Sequence, residues 1–317
     1  MNNKVFLTSC IGLDHDIVLL DQFCQHYIDL GISPENFLLV LNTSSEDATY
    51  KLNESFKILD KHKISPKDIW LSRYESEEKW ARVHKVLTQY VQANDWVVHP
   101  DADEFHEITS KNYPEFLNSL PENVNAGQGL TVDRLAADCK VPSESSITQN
   151  VFEEFPVMTN ITNLIGTDGV KLAFYRGNLR ANNGSGQIHE MCRDHVFYLH
   201  GSKENLAKTN IAKKYLKDPP GGWDGKMTLM TKTKDEPVKI HFKITEPESF
   251  SLLNNEKEDI LKEIGLIVHH FKWHGNVIEK LEERIETYIQ LERAQVCQSI
   301  KVYNHYVKNK KFVIKGL

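Results

Sequence analysis

Long apolar runs are missing from this 317-residue chain: none approaches the roughly 20 residues needed to cross a bilayer. The N-terminus also lacks the charged, apolar and small-residue succession of a secretory signal. Both absences predict membrane contact that is peripheral at most. Cysteine is sparse, with five residues (Cys10, Cys24, Cys139, Cys192, Cys297), an odd number without a Cys-x-x-Cys spacing. That pattern excludes a disulfide framework and a zinc knuckle, and a cytoplasmic location is expected. A positive excess is absent too. The formal net charge of -6 argues against a nucleic-acid binder, whose affinity needs many Lys and Arg against phosphates. No Gly-x-Gly-x-x-Gly or Walker-type loop follows the first predicted strand, so neither a dinucleotide site nor a P-loop is expected. Internal repeats and low-complexity segments are likewise missing.

What is present is a hydrophobic content of 40%, enough for a proper core, arranged in regular alternation. Residues 5–10 read as a strand. Ile17, Leu20, Phe23, Cys24, Tyr27 and Ile28 then recur at helical spacing until Gly31. A second strand is predicted at 37–41, a helix through Leu59, and a third strand at 69–71. Trp80, Val83, Leu87 and Tyr90 mark one face of a helix that leads into a fourth strand at Trp96. Four strands separated by three helices imply parallel pairing with right-handed crossovers. In such sheets ligands bind beyond the carboxyl ends of the strands, where Thr8, the 42–47 loop and residues 101–104 are expected to converge.

The most informative stretch is Trp96-Val97-Val98-His99-Pro100-Asp101-Ala102-Asp103-Glu104-Phe105, an apolar segment ending in three carboxylates. Carboxylates this close repel one another unless a counter-charge neutralises them, and a hard divalent cation prefers oxygen ligands. The competing interpretation is a solvated turn, or the caps of the next helix. Beyond residue 126 the pattern loosens, and Gly127, Gly129, Gly166, Gly169, Gly177, Gly184 and Gly186 are expected to punctuate short strands such as 172–175 and 196–199. A strand at 266–271 and an amphipathic helix through Ile278, Leu281, Ile285, Tyr288 and Ile289 close the pattern.

The 44–49 loop Ser-Ser-Glu-Asp-Ala-Thr after the second strand, followed by the 96–105 motif, resembles the nucleotide-sugar-binding half of GT-A glycosyltransferases. More narrowly, it is similar to family-2-like bacterial members with an Asp-x-Asp-Glu-Phe motif. Lys171-Leu172-Ala173-Phe174-Tyr175-Arg176, Gly186-Gln187-Ile188-His189 and Val268-His269-His270-Phe271-Lys272-Trp273 extend the resemblance, in order, over residues 4–290. It departs where the group carries an early Asn-Glu pair, here Leu13-Asp14-His15-Asp16, and at 203–258, which matches nothing in the group.

The resemblance implies an α/β fold of the Rossmann-like GT-A class, a mixed, mainly parallel sheet flanked by helices, with a C-terminal helical segment. It divides the chain into a nucleotide-sugar-binding half (1–126), an acceptor half (127–275, with an insertion or lid at 203–258) and a helical end (276–317). It implies a metal-dependent transfer of sugar from a nucleoside diphosphate sugar, UDP-sugar first among donors, to a glycan or related acceptor. Mn2+ or Mg2+ is the implied cofactor. By the same resemblance Asp103 ligates the metal, Asp101 contacts the ribose or the metal through water, Asp47 meets the base or ribose, and a histidine near the last strand closes the metal site. His269, His270 and His274 are the candidates; the first two point to opposite faces of a strand, so one at most reaches the cleft, and His270 is preferred. His270 and His274 stand four apart, but the Glu of a zinc-protease helix is missing.

Lys171, Arg176, Arg180 and Lys272 are expected to offer positive charge to the diphosphate. An inverting transfer needs a carboxylate base, for which Glu190 and then Asp194 are the candidates. Tyr175 and Trp223 are candidates for stacking on a sugar face. Two other functions compete: a non-catalytic nucleotide- or carbohydrate-binding protein of the same fold, and a Rossmann-like phosphohydrolase. The latter is disfavoured because its nucleophilic Asp follows the first strand, whereas the pair here follows the fourth.

Overall fold

The computed structural model describes residues 3–44, 47–142, 150–164, 169–181, 199, 210, 248–275, 277–290 and 296–317. The first predicted strand runs two residues further than expected, as β1 (Val5–Gly12). It is followed by α1 (Ile17–Asp29), β2 (Phe37–Asn42), α2 (Ala48–Lys61), β3 (Asp68–Trp70), α3 (Ser76–Tyr90) and β4 (Trp96–Val98). β5 (Glu104–Ile108), α4 (Tyr113–Asn118), β6 (Ala126–Leu135), α5 (Val151–Glu154), β7 (Val157–Thr159), α6 (Ile161–Leu164) and β8 (Val170–Arg176) come next. The chain ends with β9 (Phe250–Ser251), α7 (Lys257–Ile264), β10 (Leu266–His270), α8 (Val277–Gln290), α9 (Val296–Asn309) and β11 (Ile314–Lys315).

The main sheet has the order β3-β2-β1-β4-β8-β6-β10-β5, with β7 added beside β6. The ladders β3-β2, β2-β1, β1-β4 and β6-β10 are parallel, and β8 is antiparallel to both its neighbours. Following these pairings, β1, β2, β3, β4, β6 and β10 all run one way, so the sheet is mostly parallel and consistent with a Rossmann-like GT-A fold. β1 and β2 are apolar at successive positions because both faces are covered. Leu7, Leu39 and Leu41 pack on the α1 side with Phe23 and Tyr27, whereas Phe6, Leu38 and Val40 pack on the α3 side with Val83 and Leu87. Val86, not Tyr90, completes the buried face of α3; Tyr90 is exposed, with Lys67 over its ring.

The expectation of loosened structure after residue 126 fails at β6, a ten-residue strand buried along its whole length. Its glycines admit neighbours instead of making turns. A Cβ on Gly127 would lie 2.0 Å from the Phe174 ring, and one on Gly129 would lie 2.0 Å from Leu266 Cδ2. Glycine inside a strand marks such close approach. β5 was equally unforeseen, so the acidic motif is a turn between two strands of one sheet. The segment after β10 is anchored by Trp273, Val277, Leu281, Val302 and Phe312 packed against Leu135 and Phe250, and β9 pairs with β11 in a small separate sheet. Among the described residues no helix is long and apolar enough to cross a membrane. The expected strand at 196–199 lies outside the described residues except for Leu199.

Candidate functional site

The site begins with register. In the β10-β5 ladder His270 stands opposite Glu104, and in the β10-β6 ladder it stands opposite Asp133. Glu104, His270 and Asp133 therefore form one row across three adjacent strands. Partners in register share a face of the sheet, which brings the three side chains together. The turn before β5 adds the other carboxylates. Asp101 N donates to Glu104 Oε2 at 3.0 Å and Glu104 N to the Asp101 carbonyl at 3.0 Å, so the turn closes on itself, and it is buried at Ala102 and Glu104 rather than solvated. Phe271 N holds the Asp103 carbonyl at 2.8 Å.

Two chains of charge result. In the first, Lys79 Nζ donates to Asp101 Oδ1 at 2.8 Å, and Lys171 Nζ donates to both Asp101 Oδ2 and Glu104 Oε1. Burial alone would raise the Asp101 pKa, but Lys171 and then Lys79 hold it well below the usual carboxylate range. Glu104 is almost fully buried, and that burial keeps its pKa raised despite Lys171. In the second chain, His270 Nε2 lies 3.2 Å from Asp103 Oδ2 and Nδ1 lies 3.2 Å from Asp133 Oδ1. Burial would lower the His270 pKa; the charge of Asp103, with hydrogen bonds to Asp103 and Asp133, overrides it and pushes it up to about 10.

The carboxylates thus have counter-charges from the protein itself, Lys79, Lys171 and His270, which corrects the expectation that a bound cation must neutralise them. Asp103, Glu104 and His270 could nevertheless hold a cation. One ligand atom each from Asp103, Glu104 and His270 lie within 4.8 Å of one another, a set of two oxygens and one nitrogen that suits Mn2+ or Mg2+. Asp101, whose two oxygens serve the lysines, is not in that set.

His269 faces the other side of the sheet, fully buried, with Nε2 2.9 Å from Glu107 and Nδ1 accepting from Arg134 Nε at 3.1 Å. His274 is buried, and its Nδ1 has no hydrogen-bond partner among the described residues. Lys272 has its pKa lowered by burial and by Arg284, while Asp103 and Asp133 act on it in the opposite sense. It therefore lies within electrostatic reach of the acidic turn.

Several expected residues stand elsewhere. Arg176 ends β8 whereas Lys171 begins it; five residues at about 3.3 Å each put the two roughly 16 Å apart, on opposite edges of the sheet. Its guanidinium stacks on Trp96 at 3.6 Å and donates to the Asn94 carbonyl at 2.7 Å. Arg180 is held by the carbonyls of Gly177 and Leu179, just past that same edge. Tyr175 is fully buried in the core and offers no face to a sugar. Thr8 is also buried, in mid-strand, donating to the Leu38 carbonyl at 3.3 Å; β1 opens at Gly12 instead. Asp47 sits exposed at the start of α2, with Lys51 Nζ at 3.5 Å. Glu190, Asp194, His189 and Trp223 lie outside the described residues.

Asp14, just beyond β1, was not expected at the site. It accepts from Thr43 Oγ1 at 2.6 Å, Ser44 N at 3.0 Å and Lys51 Nζ at 3.1 Å, tying the first two strand-end loops together. Burial would raise its pKa, but the Ser44 amide, Thr43 and Lys51 hold it low. Asp16, beside it, is pushed up to about 7 by burial and the charge of Asp103. Lys79 and Asp133 were also missed. Each carried a signal: a lysine in the first turn of a helix opposes the helix dipole, and a lone Asp within an apolar stretch needs partners.

No family model and no curated protein matches the chain. Among solved structures it is similar to S. aureus TarS, with 11% identity and a TM-score of 0.27 over 96% of this chain and 43% of that one. It is also similar to S. aureus TarS 1-349, with 10% identity and a TM-score of 0.26 over 96% and 72%. The chain spans less than half the length of the first of these. Likeness at that level adds weight to neither fold nor function, so function rests on the residues themselves.

Proposed function

We propose that the protein is a glycosyltransferase that moves a sugar from a nucleoside diphosphate sugar to a glycan or related acceptor, assisted by Mn2+ or Mg2+. The observation that carries this reading is the cluster of Asp103, Glu104 and His270 at the carboxyl edge of a mostly parallel sheet, beside Lys79 and Lys171. That edge is where open α/β sheets take their ligands. A divalent cation there supplies positive charge against the negative charge that develops on a departing diphosphate. Lys171, Lys79 and Lys272 offer further positive charge to the same group. Asp14 holds Thr43 and Ser44 just beyond the end of β2, where a base or ribose would lie.

Thermal shift with UDP, GDP and CDP, with and without Mn2+, tests the reading. A rise in Tm of several degrees that needs both one nucleotide and the metal is expected, followed by release of the nucleoside diphosphate from its sugar. Asp103→Asn should abolish the metal-dependent rise; because it also removes the charge that pairs with His270, the Tm without ligand is expected to fall, and the rise is read against that lowered baseline. A rise with nucleotide alone would favour a metal-independent site in which Lys79 and Lys171 hold the diphosphate unaided. No rise with any nucleotide would refute the proposal.

A further inference from the structure

Asp133 lies thirty residues beyond the acidic turn, in a different strand, and is fully buried. Its Oδ1 accepts from Thr162 Oγ1 at 2.7 Å, from Trp273 Nε1 at 2.9 Å and from His270 Nδ1 at 3.2 Å, and its Oδ2 accepts from Thr162 N at 2.6 Å. An ionised carboxylate in such a place is costly unless its lone pairs are met, and here they are met by donors from two other elements and the segment after β10. The group is therefore fixed in position, and it fixes the ring in turn. A carboxylate can only accept, so the His270 nitrogen facing it carries the hydrogen. Nε2, on the Asp103 side, also faces a carboxylate and carries a hydrogen in the metal-free chain; a cation binding there would release that proton to solvent and take the Nε2 lone pair, while Nδ1–H stays donated to Asp133.

We propose that Asp133 is a positioning residue that sets the tautomer and angle of His270, presenting Nε2 to a divalent cation shared with Asp103 and Glu104. This rests on the cation reading above. A histidine that ligates a metal commonly donates its other N–H to a carboxylate, which orients the ring and makes it a better ligand; loss of that partner weakens metal binding about 10- to 100-fold. Trp273 and Thr162 hold the same carboxylate independently of the ring.

The test uses the full chain and Mn2+ alone, with free Mn2+ followed by electron paramagnetic resonance. Asp133→Asn is expected to weaken binding about 10- to 100-fold, and to have no further effect once His270→Ala is present. Thr162→Val, which removes one hydroxyl but keeps the charge and the ring contact, should change affinity less than threefold. A wild-type chain that takes up no Mn2+ would overturn both the cation site and this role. Wild-type binding that Asp133→Asn leaves within twofold, or an Asp133→Asn loss that persists in His270→Ala, would overturn the role of Asp133 alone. Should Asp133→Asn fail to fold, electron spin-echo modulation of Mn2+ on the wild-type chain must show a directly bound imidazole nitrogen; its absence overturns the proposal.

Discussion

Lys171 shows what one side chain does in this site. Its ammonium is shared between Asp101 and Glu104, so Lys171→Met strands the almost fully buried Glu104 and leaves Asp101 with Lys79 alone. Removing one member of a buried pair costs about 3–5 kcal/mol, and the open side of Asp101 moves the expectation toward about 2–3 kcal/mol. Urea unfolding at neutral pH should show that loss, and an unchanged midpoint would mean that Lys79 suffices for both acids. At this scale the sequence was legible where chemistry is local. The acidic turn and Lys171 followed from spacing and resemblance, and strand alternation told that His269 and His270 face opposite ways, as they do, without telling which one meets the turn. Lys79 and Asp133 were not legible, because they reach the turn only through tertiary placement, from 22 residues before Asp101 and 30 residues after Asp103 in the chain.

The elements carry their own lesson, most clearly in β6. Gly127 and Gly129 read as breakers in the sequence, yet they are the positions where Phe174 and Leu266 enter the strand's surface. Gly127→Ala is expected to destabilise by about 1–3 kcal/mol, as overpacking does. Gly127→Ala with Phe174→Leu should recover part of that loss, and no recovery in the double variant would show that backbone strain, not the ring, sets the cost. The first four strands and their helices were readable because doubly covered parallel strands and amphipathic helices have distinct periods. β5 was hidden by its acidic start, and β6 by its glycines. Arg176 was misplaced for a related reason: without the antiparallel sense of β8, nothing told which end of that strand faces the cleft.

For the molecule as a whole, the buried histidines set a pH profile. Burial lowers His26 and His274 to about 4, and His99 and His269 to about 3. Below the ordinary histidine value of about 6.5 the unfolded chain binds protons that these rings refuse, so stability falls as pH drops from about 6.5 towards 4. His270 has the opposite sign: its pKa of about 10 gives stabilisation that is complete below about 6.5 and lost as pH rises through 10. With His106, which burial also holds well below the ordinary value, five rings against one predict a urea midpoint that drops steeply between pH 7 and pH 4.5 and more gently between pH 7 and pH 10. Equal midpoints at pH 7 and pH 5 would contradict this.

The row of Glu104, His270 and Asp133 also dictates when in the life of the chain the site exists. β5 and β6 are near neighbours in sequence, yet β10, which is made more than 130 residues later, is the strand that separates them in the sheet. Until it inserts, Asp103, Glu104 and Asp133 have no imidazole between them, and no ligand can find its seat. Such distant pairing is slow to form. Any cation binding by Asp103, Glu104 and His270 would therefore be a late signal in folding, one that a ribosome-bound chain ending before residue 266 cannot give.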